Sequence, residues 1–135
     1  MVGLCCKRSW YYQGNRAREQ ADYAEILRIG IHCSTAGSLE RAAKKATEPG
    51  ANTLQIFSAS PRMWRAKPPD VQQVRLLQAE RDAHDLTPLV IHDNYLINLA
   101  SGDPYIRTKS IDTLAGEIER AVIIGAEYLV AHPGN

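Results

Sequence analysis

The chain has 135 residues, a formal net charge of +1, 44% hydrophobic residues and 23% charged residues. That balance excludes a disordered tail and a strongly basic nucleic-acid coat, and the length suits one domain rather than two. No apolar run approaches the roughly 20 residues of a membrane span, so a soluble chain is expected.

Residues 1–27 stand apart from the rest. They hold the adjacent Cys5 and Cys6, the clustered Trp10, Tyr11 and Tyr12, and a charged stretch in which 17–27 suits a short helix. No pattern ties this segment to residues 28–135. It reads either as a true N-terminal extension or as an upstream start codon carried into the chain. Lys7 and Arg8 are not followed by the apolar stretch of a signal peptide. Cys5, Cys6 and Cys33 match no zinc-knuckle spacing, and neighbouring cysteines bridge poorly, which points to free thiols in a reducing cytoplasm.

From residue 28 the pattern is regular. RIGIH at 28–32 predicts a strand. Ser38 is an N-cap candidate, and Leu39, Ala42, Ala43 and Ala46 mark one face of a helix that Pro49-Gly50 ends. TLQIF at 53–57 predicts a second strand, followed by a polar, proline-bearing loop at 58–69. Asp70 caps a second helix with a stripe of Val71, Val74 and Leu77 that ends near His84, and Gln73 nearly completes a capping box. PLVI at 88–91 predicts a third strand. Asp103-Pro104 opens a long third helix with a stripe of Ile111, Leu114, Ile118 and Val122, and Gly125 closes it. YLVA at 128–131 predicts a fourth strand.

Strands alternating with helices predict a parallel sheet with right-handed crossovers. The strands are short and nearly all apolar, as in a sheet covered on both faces. Two closures fit: a small doubly wound sheet, or a (β/α)8 barrel, which takes about 250 residues. Four strands within 28–135 is the pace of a barrel. The chain also stops directly after a strand, so a truncated half-barrel is expected.

Three of the four histidines, His32, His92 and His132, fall at the C-terminal ends of predicted strands, the rim where parallel α/β folds bind ligands. Adjacent strands lie about 4.8 Å apart, so His92 and His132 are placed to converge on one metal ion. The bland alternative is a set of satisfied polar residues at strand ends. His84, at a helix end, reads as an exposed C-terminal cation. The loop after the second strand holds Arg62, Trp64, Arg65 and Lys67 with no acid, which suits phosphate and base contacts or, equally, an ordinary solvated loop. Tyr95 and Leu96 directly follow a rim histidine and read either as a wedge for a base stack or as loop packing.

Four segments in order carry a family resemblance: RIGIHCSTAGSL at 28–39, ANTLQIFSASPRMWRA at 51–66, VIHDNYLINLAS at 90–101 and GAEYLVAHPGN at 125–135. Together they resemble the endonuclease IV group of apurinic/apyrimidinic endonucleases over all but the first 27 residues. The resemblance implies a TIM barrel of the xylose-isomerase-like type, present as about its first half, with a zinc cluster at the C-terminal rim. It implies cleavage of double-stranded DNA on the 5′ side of an abasic site, leaving a 3′-hydroxyl. His92 and His132 match two zinc ligands, and Arg62 matches a loop arginine that enters the DNA at the lesion. Tyr95 and Leu96 match a pair inserted beside the abasic nucleotide, with Trp64 in the same DNA-contacting loop as Arg62. His32 matches a histidine near the metal pocket that is not a ligand. The family's remaining ligands, its bridging carboxylate included, would lie beyond Asn135, so this chain alone is expected to be inactive. Cys33 lies at the exit of the first strand beside the site, where a buried neutral thiol is expected rather than a metal-binding thiolate.

Two other readings stay open. A sugar isomerase or epimerase of the same barrel superfamily shares the strand-end histidines. A non-catalytic half-barrel leaves two open sheet edges and an apolar face, and would be poorly soluble or self-associate.

Overall fold

The computed structural model describes residues 2–5 and 27–134. Its elements in chain order are β1 (Val2–Cys5), β2 (Gly30–His32), α1 (Leu39–Thr47), β3 (Thr53–Phe57), α2 (Val71–Ala83), β4 (Leu89–His92), α3 (Pro104–Ile124) and β5 (Tyr128–Ala131). The sheet order is β1-β5-β4-β3-β2. Strands β2 to β5 are all parallel neighbours in chain order, as β/α/β crossovers require.

The start and stop signals act as expected. The Ser38 side chain accepts from Arg41 N at 3.1 Å, Asp70 from Gln73 N at 2.9 Å, and Asp103 from Tyr105 N at 2.8 Å. Gly125 takes the left-handed conformation (φ 81°) that ends α3 and is strained for other residues. The capping box is not formed. Gln73 Oε1 instead accepts from Leu39 N at 3.1 Å and so ties α2 to the first turn of α1.

Alternate strand residues build the core. Leu54, Ile56, Leu89, Ile91, Leu129 and Ala131 are buried against Ala42, Ala43 and Ala46 of α1, Val74 and Leu77 of α2, and Ala121 and Ile124 of α3. Each large aliphatic side chain buried in this way contributes about 1.5–3 kcal/mol.

Four expectations need correction. The sheet is not covered on both faces. Among the described residues only the helix face is sealed, while Gln55, Phe57, Val90, His92 and Val130 on the other remain half-exposed. The stripe expected to bury α3 mostly faces out: Ile111, Ile118 and Val122 are exposed, and only Leu114 packs on the core. The buried face is instead Ser110, Thr113, Glu117, Arg120, Ala121 and Ile124, because half of it meets polar loops rather than the sheet. Val71 of α2 is likewise exposed.

The fourth correction concerns the N-terminal segment, where no strand was expected. Val2–Cys5 forms a strand antiparallel to β5, with Val2 opposite Ala131 and Cys5 opposite Tyr128. It covers the edge of β5 and becomes the edge strand itself, so among the described residues the two sheet edges are β1 and β2. The helix expected over 17–27 falls outside the described residues, Leu27 excepted, as do Trp10, Tyr11 and Tyr12.

The N-terminal ends of the strands are closed by paired charges. The Arg81 guanidinium donates to Leu86 O, Gly125 O and both Glu127 carboxylate oxygens at 2.7–3.1 Å, and Glu127 accepts from Leu89 N. Arg28 donates to Asp85 Oδ2 at 2.8 Å and to the carbonyls of Asp85 and Asn52.

Candidate metal and nucleic-acid site

The C-terminal rim is built on the open face of the sheet. The parallel register sets Phe57 beside His92 and His92 beside Val130, which leaves His132 just past the end of the next strand. His32 and His92 are the last residues of their strands, and His132 follows β5 directly. The rings form a continuous layer. His32 lies 4.6 Å from Phe57 and 5.9 Å from His92 between centroids, and His92 lies 5.2 Å from His132.

The atoms within that layer are specifically placed. His92 Nδ1 is 2.9 Å from the carbonyl of Asp93, so Nδ1 carries the proton and Nε2 presents its lone pair. His92 Nε2 and His132 Nε2 are 3.3 Å apart. Two nitrogens held about 2.0–2.1 Å from one tetrahedral zinc lie about 3.3 Å apart, so the pair fits two ligands of a single ion. Among the described residues no group of three or more His, Cys, Asp or Glu side chains is arranged to hold a metal. The pair is therefore two donors of a usual four. His32 is not a third: its Nδ1 is 3.0 Å from Gln55 Oε1.

Asp93 lies beneath the two histidines, 1% exposed, with Oδ1 3.6 Å from His92 Nδ1 and with Oδ2 buried and without a partner. Burial pushes its carboxyl above the usual range, while the His92 and His132 imidazoles and the His132 backbone N–H pull the other way. Such a carboxylate behind a histidine orients the ring for metal binding. Sequence reading passed over Asp93, although its place directly after a rim histidine was a signal. Cys33, by contrast, sits 4% exposed in the core, and burial pushes its thiol up, as expected of a neutral thiol. His84 stands at the end of α2, half-exposed, with Nε2 3.6 Å from Glu80.

Two loops flank the histidines and are joined to each other. Tyr95 is 62% exposed, and its ring stands edge-on to Phe57 at 5.1 Å and to His92 at 6.1 Å. Its backbone N–H donates to Pro61 O at 3.0 Å. Asn94, buried beside it, donates through Nδ2 to Met63 O and accepts from Leu96 N at 2.8 Å. One asparagine thus links the Tyr95-Leu96 pair to the loop of Arg62, a role that sequence reading did not assign. Arg62, Arg65 and Lys67 are exposed, and Leu96 is half-buried. Trp64 is set apart from the histidine layer. It is half-buried against α3, with its carbonyl accepting from Thr113 and its ring 5.1 Å from the Lys109 ammonium. A cleft of about 430 Å³ opens between this loop and α1, lined by Gly37, Ser38, Ser58, Lys67 and Gln73 among others, and holds none of the histidines.

The family model for xylose isomerase-like TIM barrels matches residues 42–135. A protein named probable endonuclease 4 from Solibacter usitatus is 63% identical over 109 residues, covering 81% of this chain and 38% of that protein. Endonuclease 4 of Thermus thermophilus is 40% identical over 111 residues, covering 80% of this chain and 40% of that protein. The crystal structure of endonuclease IV from Thermus thermophilus matches with a TM-score of 0.74 at 39% identity, over 80% of this chain and 40% of that one. The chain spans about two fifths of the length of these relatives. It belongs to the xylose isomerase-like TIM-barrel family, in the endonuclease IV group, and its described residues form a partial barrel with four parallel strands and three helices.

Proposed function

We propose that this chain supplies the zinc-binding and lesion-recognising rim of an apurinic/apyrimidinic endonuclease. Such an enzyme hydrolyses the phosphodiester on the 5′ side of an abasic site in double-stranded DNA and leaves a 3′-hydroxyl. The observation that carries the reading is the 3.3 Å approach of His92 Nε2 to His132 Nε2 at the rim, beside exposed Tyr95.

His92 and His132 are the residues that would hold zinc. A zinc ion supplies Lewis-acid stabilisation of charge developing on the phosphate and a nucleophilic water near neutral pH. The chain's own residues bind and orient. Arg62, Arg65 and Lys67 present cations to the phosphate backbone, and Arg62 offers a planar fork. Tyr95 and Leu96 fill the space left in the stack when the abasic nucleotide turns out. That nucleotide has no base to unstack, so extruding it costs less than extruding an intact one, which favours the lesion. The backbone carbonyl of Asp93 holds the His92 ring, with the Asp93 carboxyl close behind it.

With two donors of four, the 135-residue chain by itself is not expected to cut DNA. Its open β2 edge and the exposed stripe of α3 favour self-association of the isolated chain. The free, buried Cys33 is in keeping with a cytoplasmic setting. A sugar isomerase or epimerase of the same barrel type is the competing reading, and the basic loop joined to Tyr95 favours DNA over a small sugar.

The test is incision of a duplex carrying a single abasic site by the protein in its full length. The expected result is one nick 5′ to the site with a 3′-hydroxyl end, lost on chelation and regained with zinc. Zinc-loaded full-length protein that leaves the abasic duplex intact would overturn the proposal.

A further inference from the structure

Helix α3 buries a charged pair away from the sheet. Glu117 is 3% exposed and Arg120 is 9% exposed. Arg120 Nη2 lies 2.9 Å from Glu117 Oε1, and Arg120 Nε donates to Ser58 Oγ at 2.9 Å. Ser58 in turn donates to Glu117 Oε2. The three side chains close a ring between α3 and the first residue past β3, 59 and 62 residues away in sequence.

Burying two charges costs desolvation that their attraction offsets only with good geometry and full hydrogen bonding, and an apolar pair of similar volume often stabilises as well or better. Gross stability is therefore a weak reason for this ring. Gly116 points the same way. A Cβ at that position would come within 3.2 Å of Arg120 Nη1. Glycine inside a helix costs about 1 kcal/mol relative to alanine, and here it leaves room for the guanidinium.

The ring acts on the loop that carries Arg62. Ser58 anchors its start. Pro61 O is held by Tyr95 N, Met63 O by Asn94 and Trp64 O by Thr113. Arg62 stands exposed between these anchors. A loop ordered in advance loses less conformational freedom when it meets a ligand.

We propose that Glu117 and Arg120 are positioning residues which, through Ser58, hold loop 58–67 in the conformation that presents Arg62 to the backbone of damaged DNA. This rests on the DNA reading of the rim. The pair touches neither metal nor DNA, and its effect passes through the Ser58 hydroxyl.

Three variants test it in the 135-residue chain: Ser58→Ala, Ser58→Thr, which keeps the hydroxyl, and Arg120→Lys, which loses the fork. The first readout is tryptic cleavage after Arg62 and Arg65, relative to cleavage after Arg75 inside α2, which reports global opening. The second is affinity for a duplex with one abasic site against the undamaged duplex. Ser58→Ala and Arg120→Lys are expected to raise the loop-to-helix cleavage ratio about tenfold and to weaken abasic-duplex binding about fivefold, with Ser58→Thr near wild type in both. An unchanged ratio in Ser58→Ala and Arg120→Lys would overturn the proposal, as would unchanged duplex affinity in both. A ratio that rises equally for Ser58→Thr would also overturn it. If wild type fails to distinguish the two duplexes while the cleavage ratio still responds, the DNA reading fails and the loop-holding role of the pair stands.

Discussion

The two ends of the sheet are built on opposite principles. At the N-terminal end two arginines are fully engaged: Arg81 serves two carbonyls and a carboxylate, and Arg28 serves Asp85 and two carbonyls. At the C-terminal end Glu117 and Arg120 are paired through Ser58, but the histidine layer beside them keeps polar atoms that no opposite charge answers. Two imidazole nitrogens face each other at 3.3 Å, a carboxylate oxygen of Asp93 is buried without a partner, and a basic loop carries no acid to answer it. Barrels of this type keep stability at one end and chemistry at the other.

The largest expected effect tests the stabilising end. Arg81→Ala strands Glu127 and two backbone carbonyls. Because Glu127 is 42% exposed the loss is moderated, and urea unfolding should register about 2–3 kcal/mol. Zinc binding by the refolded variant should be unchanged. A stability change within about 0.5 kcal/mol would erase the contrast. Tyr95→Ala tests the other end. Its exposed ring contributes little to folding, so the unfolding midpoint should hold while the preference for abasic over undamaged duplex falls about tenfold in a competition gel shift. The smallest effect belongs to the outer surface of α3. Ile118→Lys should change stability by no more than about 0.5 kcal/mol, and a loss of about 2 kcal/mol or more would show that this stripe is core after all.

The last prediction marks the limit of reading this sequence. Caps and breakers are local chemistry, so Ser38, Asp70, Asp103 and Gly125 announced the helices correctly. The rim histidines were equally visible, because a strand end is read from a few neighbouring residues. Periodicity misled in α3. Ile111, Ile118 and Val122 make the apolar stripe, yet Ser110, Thr113, Glu117 and Arg120 are buried. Their partners are the Asn98 backbone, Trp64 O and Ser58, which lie in distant loops that no helical pattern reports. Asn94 and Asp93 escaped for the same reason. Each acts through a single contact set by the fold, with nothing periodic to betray it. Val2–Cys5 is too short, and interrupted by Gly3, to read as a strand before its pairing with β5 is known.

The central claim is that His92 and His132 form half of a zinc site rather than a pair of satisfied strand-end residues. It is tested most directly by zinc titration of the wild-type chain, His92→Ala and His132→Ala in competition with a chromophoric chelator, alongside urea unfolding without metal. The account predicts that each substitution weakens zinc binding by about 100-fold while the metal-free unfolding midpoint stays near wild type. Equal zinc affinity in all three proteins would contradict it.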